Sequence, residues 1–101
     1  MKANETLVWI LYDISKNKAR TRMAKLCLEA GLYRVQLSVF LGTIERNRLD
    51  ELVMALESWM DKDVDSLYVF PMCKQDFQKV VALGEAFDKA LVADEVRALF
   101  V

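Results

Sequence analysis

Histidine is absent from the 101 residues, so imidazole serves neither as a general base nor as a metal ligand. Proline occurs once and glycine three times, which excludes collagen-like repeats and a low-complexity linker. The two cysteines, Cys27 and Cys73, stand far apart and in no zinc-type spacing. Buried free thiols are therefore expected rather than a disulfide or a zinc site. No apolar run reaches the roughly 20 residues needed to cross a bilayer. Residues Met1 to Glu5 are polar rather than a signal sequence, so no membrane contact is expected and a cytoplasmic location is. There is no Walker loop, no dinucleotide-binding glycine motif and no metalloprotease motif, and without histidine no Ser-His-Asp triad.

What is present is an apolar content of 54%, enough for one compact domain over residues 1–101. A chain of this length buries about two-thirds of the surface its unfolded form exposes. Its stability margin is thin, and self-association is a natural way to enlarge the core. The formal net charge of −1 conceals a polarity: residues 1–48 hold nine Lys or Arg against four Asp or Glu, and residues 49–101 hold five against eleven. A mildly acidic protein can thus still present a basic face to a polyanion.

Leu7 to Ile14 is a continuous apolar and β-branched run of the kind that forms a central strand. Ala19, Met23, Leu26, Cys27 and Ala30 then recur at helical spacing. Ser15 is placed to cap that helix and Gly31 to end it, predicting a helix over 16–30. Tyr33, Val35, Leu37, Val39 and Leu41 alternate with Arg34, Gln36, Ser38, Phe40 and Gly42, which is β periodicity in one long strand or a tight pair. A second amphipathic helix is predicted over 46–61, exposing Asp50, Glu51, Glu57 and Asp61. Leu67 to Phe70 forms a further strand, which Pro71 ends or places at an edge. The order strand, helix, strands, helix, strand is that of an α+β ferredoxin-like βαββαβ sandwich, with its core in residues 6–72. Beyond it, Lys74 to Gln78 suits a helical turn, Val80 to Leu83 a short strand, and Glu85 to Ala90 another helical piece. The apolar end Arg97 to Val101 suits burial against a second subunit.

The junction after the first strand carries the chemistry. Asp13 is the acid at the end of an apolar strand, followed at once by Lys16, Lys18, Arg20, Arg22 and Lys25, of which Lys18, Arg22 and Lys25 share a helix face. In one reading Asp13 accepts helix amides or pairs with Lys16 or Arg20. In the other it binds a divalent cation or activates water beside a phosphate held by the cations. Mg²⁺ takes one or two carboxylates plus phosphate oxygens, so two copies of Asp13 across a two-fold axis would suffice. Arg34, Gln36, Ser38 and Phe40, on one side of their strand, suit either a sugar-phosphate backbone or a polar dimer seam. Trp9 and Trp59, with Met23, Met54 and Met60, are expected in the core.

Tyr12-Asp13-Ile14 after an apolar strand, the basic helix, Gly31 to Gly42 with its Val-Gln-Leu-Ser-Val-Phe core, and Asp65 to Met72 together resemble the small CRISPR-associated adaptation protein family. This is the smaller spacer-acquisition subunit, known as a CRISPR-associated endoribonuclease. The resemblance covers residues 7–72. It implies a ferredoxin-like homodimer with a C-terminal strand extension, residues 73–101 packing on the partner subunit. It also implies one Mg²⁺ or Mn²⁺ between two copies of Asp13, and metal-dependent hydrolysis of RNA or DNA phosphodiesters with water as nucleophile. Tyr12, Arg34, Ser38, Phe40 and the helix cations Lys16, Lys18, Arg20, Arg22 and Lys25 match positions linked to nucleic acid or to the site's geometry. The same resemblance implies a partner, the larger CRISPR integrase subunit, for which the dimer grips DNA. Two other classes stay open: a non-catalytic DNA-gripping scaffold, and a ferredoxin-like regulatory or ligand-binding module.

Overall fold

The computed structural model of the chain describes residues 3–84. Its elements run β1 (Glu5–Asp13), α1 (Asn17–Glu29), β2 (Tyr33–Gln36), β3 (Val39–Glu45), α2 (Arg46–Glu57), β4 (Ser66–Met72) and α3 (Lys74–Gln78). The four strands make one antiparallel sheet in the order β2-β3-β1-β4. This is the ferredoxin-like arrangement expected from the order of elements. The most apolar strand lies in the centre, where both of its edges are paired.

Side-chain alternation divides the sheet into two unequal faces. Val8, Ile10, Tyr12, Phe40 and Ile44 meet Ala19, Met23 and Cys27 of α1 and Leu49, Leu52 and Leu56 of α2, forming the main core. On the other face Leu7, Val35 and Leu41 form a smaller cluster with Trp9, Val39, Met72 and Phe77 packed against it. There α3 covers only part of the sheet, its Phe77 ring 6.4 Å from that of Trp9. Tyr68 and Phe70 on β4 remain half exposed, stacked on one another with ring centroids 6.2 Å apart.

The segment 32–44 is a hairpin, not one strand. It folds at Leu37 and Ser38 with no residue there at positive φ, which is why no Asn-Gly or Gly-Gly signal marks it. A register shift between Arg34 and Gln36 adjusts the pairing. Ser15 does not cap α1: the N-cap is Lys16, whose side chain makes no capping bond, and the Ser15 N–H instead donates to Asp65 Oδ1 at 2.8 Å. α2 ends at Glu57, short of the predicted 61, and Ser58 Oγ donates to the Ala55 carbonyl at 2.6 Å as the chain turns away. Beyond that end Trp59 sits at the surface, 37% exposed. Met54 lies on the outer side of α2 at 72%, so neither is the core residue expected. Val80 to Leu83 is not a strand, because no neighbouring strand among the described residues offers it a ladder. The expected helical piece at 85–90 and the tail at 97–101 lie outside the described residues.

Gly31 ends α1 as anticipated. At φ +89° it lets its own N–H reach the Leu28 carbonyl (3.0 Å) and the Leu32 N–H reach the Cys27 carbonyl (3.2 Å), a Schellman closure that aims the chain back into β2. Substituting Gly31→Ala places a Cβ in the left-handed region and should cost about 1 kcal/mol. Urea unfolding monitored by circular dichroism reads this as a lower midpoint with an unchanged slope.

Candidate nucleic-acid and metal site at the end of β1

β1 pairs with β4 out to Asp13, opposite Ser66, whereas its ladder with β3 stops at Leu11 opposite Val39. The hairpin tip closes the remaining gap: the Tyr12 N–H donates to the Ser38 carbonyl at 3.1 Å. The last residues of the strand are thus held from both sides while the Asp13 side chain stands in solvent. Asp13 is exposed although the strand it ends is largely covered. Its neighbours in the strand are covered, but at the strand's end its own side chain leaves the layer. Its carboxylate makes no hydrogen bond or ion pair with any described residue.

The Ile14–Ser15 peptide group that follows is held at both ends by charged side chains from different elements. Arg20 Nη1 reaches back from α1 to the Ile14 carbonyl at 3.4 Å. Asp65, just before β4, accepts the Ser15 N–H through Oδ1 and the Asp61 N–H through Oδ2 at 2.9 Å. The Asp65 carboxyl is held below the usual carboxylate range, first by the Asp61 amide and then by the Ser15 amide. Asp65 is the acid near Asp13 that the sequence did not reveal. Its place opposite the end of β1 is set by β1–β4 register and by nothing local.

An open cleft of about 770 Å³ lies between α1, the end of β1 and the hairpin tip. Asp13, Arg20, Lys25, Arg34 and Ser38 give it polar walls, and the exposed side chains of Leu28 and Leu37 give it apolar ones. The basic stripe expected on α1 is therefore divided. Arg20 and Lys25 border the cleft, Lys25 also lying 3.9 Å from Glu29. Arg22 leans the other way, its guanidinium 5.8 Å from the centre of the Trp59 ring. Lys16 and Lys18 are exposed and do not line the cleft.

Phe40 does not fit direct contact with nucleic acid, because its ring is fully buried. It is the ladder partner of Arg34 and shares its side of the sheet, as the alternation implied, but at Phe40 that side is covered by the main core. Instead it is a platform, with the Tyr12 ring stacked at 6.0 Å and the Arg34 guanidinium 5.6 Å above its centre. Arg34 in turn donates from Nε (3.0 Å) and Nη2 (2.7 Å) to the Leu37 carbonyl, so much of its hydrogen-bonding capacity holds the hairpin tip. Tyr12 is 5% exposed and its hydroxyl has no partner among the described residues, a cost of about 1–3 kcal/mol for such a group. Burial, then the Cys27 thiol, raises its pKa against the opposing Arg34 charge. The phenol stays protonated at neutral pH. Burial likewise pushes the Cys27 thiol up to about 12, leaving it an inert core side chain.

Among the described residues no group of three or more Asp, Glu, Cys or His side chains is placed to hold a metal ion. One chain offers a single uncommitted carboxylate at this site. Both oxygens of Asp65 are already accepting amides, which leaves Asp13 as the uncommitted carboxylate at this end of the sheet.

A ferredoxin-like sandwich that presents one exposed acid beside cations at the end of its central strand places the chain among small α+β proteins with a charged site at one end of the sheet. The particular family follows from comparison: residues 6–80 match the family described as CRISPR associated protein Cas2, and the chain belongs to it. A CRISPR-associated endoribonuclease Cas2 from Archaeoglobus fulgidus is 35% identical over 66 residues, covering 65% of this chain and 70% of that protein. One from Korarchaeum cryptofilum is 28% identical over 87 residues, covering 83% and 90%. The crystal structure of Streptococcus pyogenes Cas2 at pH 6.5 superimposes with a TM-score of 0.68 at 28% identity, covering 77% of this chain and 99% of that one.

The depressed acidity of Asp65 has a pH consequence. Its ordinary value is 3.8, and a carboxyl lowered on folding contributes stability above that value and loses it as pH falls through the lower folded one. Asp65→Asn should therefore be less stable than wild type at pH 6, with the gap narrowing as the pH falls below 3.8. Denaturant titrations of both proteins across that range measure it.

Proposed function

We propose that the protein is a dimeric nucleic-acid-binding subunit of CRISPR adaptation with a divalent-metal-dependent phosphodiesterase site at Asp13. The observation that carries this reading is the Asp13 carboxylate itself, exposed and uncommitted at the rigid end of β1, with Arg20 and Lys25 across the cleft. The names of the relatives support hydrolysis of RNA, since those proteins are endoribonucleases.

The chain's own residues divide the work. Lys25, with Lys16, Lys18 and Arg22 on the exposed part of α1, would neutralise phosphates without reading sequence. Arg20 and Arg34 would add charge while holding the Ile14 and Leu37 carbonyls. Ser38 offers a hydroxyl at the rim, and Tyr12 and Phe40 shape the floor beneath it. Asp13 from two subunits would hold one Mg²⁺ or Mn²⁺ through oxygen. Such an ion would supply Lewis-acid stabilisation of the charge that develops on the phosphodiester as water displaces one ester oxygen.

The dimer on which this depends is supported by the uncovered sheet face. Tyr68 and Phe70, half exposed on the edge strand β4, sit beside the small cluster around Leu7 and Leu41, a surface that a second copy can cover. Replacing both by Asp should weaken self-association by at least about tenfold, since each buried aromatic contributes about 1.5 kcal/mol or more. Sedimentation at low micromolar concentration would then show monomer; an unchanged dimer would place the interface elsewhere.

One observation favours a second reading. A single chain brings just one free acid to the site, fewer than a metal-dependent nuclease normally gathers, so the protein would serve as a non-catalytic scaffold gripping DNA for the larger integrase subunit. Asp13→Asn distinguishes the two. It preserves size and removes charge, so cleavage in Mg²⁺ should fall by about a hundredfold or more while the fold and nucleic-acid affinity survive. Equal cleavage by the wild type and the variant would remove Asp13 from the chemistry and favour the scaffold.

A further inference from the structure

Asp65 has no counterpart in the site described so far, yet its carboxylate joins the two segments on which Asp13 stands. One oxygen takes the Ser15 amide, two residues beyond Asp13, and the other takes the Asp61 amide across the turn that precedes β4. The next residue, Ser66, is the ladder partner of Asp13 itself. On the opposite side Arg20 holds the Ile14 carbonyl. In the corner Asp13-Ile14-Ser15 the single Ile14–Ser15 peptide group is therefore held at its N–H by an anion from one element and at its carbonyl by a cation from another. Of the two, the 2.8 Å bond to the ionised Asp65 is the strong one, and the Arg20 contact at 3.4 Å is long.

The loop that supplies Asp65 is itself ordered for the purpose. Asp61 Oδ1 accepts the Asp63 N–H at 3.1 Å, and the Asp61 carbonyl accepts the Asp65 N–H at 2.8 Å and the Val64 N–H at 3.1 Å. Asp65 thus points at Ser15 from a turn closed on itself. An exposed carboxylate at a strand end gains nothing from burial to hold its direction; its backbone must be held instead.

We propose that Asp65 is a positioning residue for Asp13, clasping the β1–α1 corner to the start of β4 so that the Asp13 carboxylate projects in one direction from a fixed backbone. This rests on the reading of Asp13 as the site acid. It assigns Asp65 no contact with substrate or metal. A side chain with one acceptor oxygen would hold one of the two amides, and a side chain with none would release both.

The test uses the full chain as wild type, Asp65→Asn and Asp65→Ala, with Asp13→Asn beside them. Hydrogen exchange read by NMR should show the Ser15 amide about tenfold faster or more in Asp65→Ala, the expected loss of a charged hydrogen bond, while the Val8 and Ile10 amides keep their protection. The Asp13 side-chain carboxyl ¹³C resonance should move and broaden in Asp65→Ala and be partly restored in Asp65→Asn. In cleavage assays kcat should fall about tenfold or more in Asp65→Ala with KM within about twofold, as for an effect made in the transition state. A Ser15 amide released with the Asp13 resonance unmoved overturns the proposal, as does a Ser15 amide that exchanges no faster. If Asp13→Asn cleaves like wild type, the catalytic reading fails. The Asp13 resonance then still decides the positioning role by itself.

Discussion

The pairing of β1 on both edges is the constraint from which the rest follows. Its ladder with β3 runs from Glu5 to Leu11 and its ladder with β4 from Leu7 to Asp13, so the strand is offset toward β4 at its far end. That offset leaves Tyr12 and Asp13 without β3 partners and makes room for the hairpin tip, whose Ser38 carbonyl takes up the Tyr12 amide. Everything at the site is a consequence of how that free end is finished. The hairpin closes it on one side, the Asp65 turn on the other, and α1 starts from it.

Two kinds of work are distributed over the charged residues, and the sequence does not announce which does which. Arg20 and Arg34 look like phosphate ligands, yet each donates to a backbone carbonyl of the site's own scaffold. Lys25 and Lys18 carry charge without such a duty to the backbone. A long side chain beside an acid in sequence is thus not by itself a substrate contact; the geometry of its donors decides. The Arg34 guanidinium above Phe40, itself stacked on Tyr12, also shows how a buried aromatic can matter to a site it never touches.

The fold was legible wherever local physics sufficed. The apolar run of β1, the 3.6-residue spacing of both helices and the left-handed Gly31 each follow from residues close in sequence, and the order of elements then restricts the sheet to one familiar arrangement. The hairpin turn was not legible, because Leu37 and Ser38 adopt it without the residues that usually mark such turns. Asp13 was found through its place at the end of the strand, though its exposure was not. Asp65 was missed as a partner because the contact joins residues fifty apart, through strand register that no periodicity encodes. Phe40 was misplaced for another reason: it does share the side of Arg34, but the alternation does not say that this side is covered at its position. Membership of the Cas2 family adds a context for the acid and leaves the division of labour among its neighbours to geometry.

The acidic turn 61–65 flanks the end of β1 on the β4 side, while α1 brings its cations on the other. With a formal net charge of −1 the protein as a whole does not attract a polyanion, so long-range capture depends on its dipole rather than its monopole. On the proposed function, a nucleic-acid chain drifting toward the acidic turn would be repelled and one drifting toward α1 turned and drawn in. The same asymmetry that braces the corner would thereby make the approach one-sided, over the helix and the hairpin tip, with direction chosen before contact.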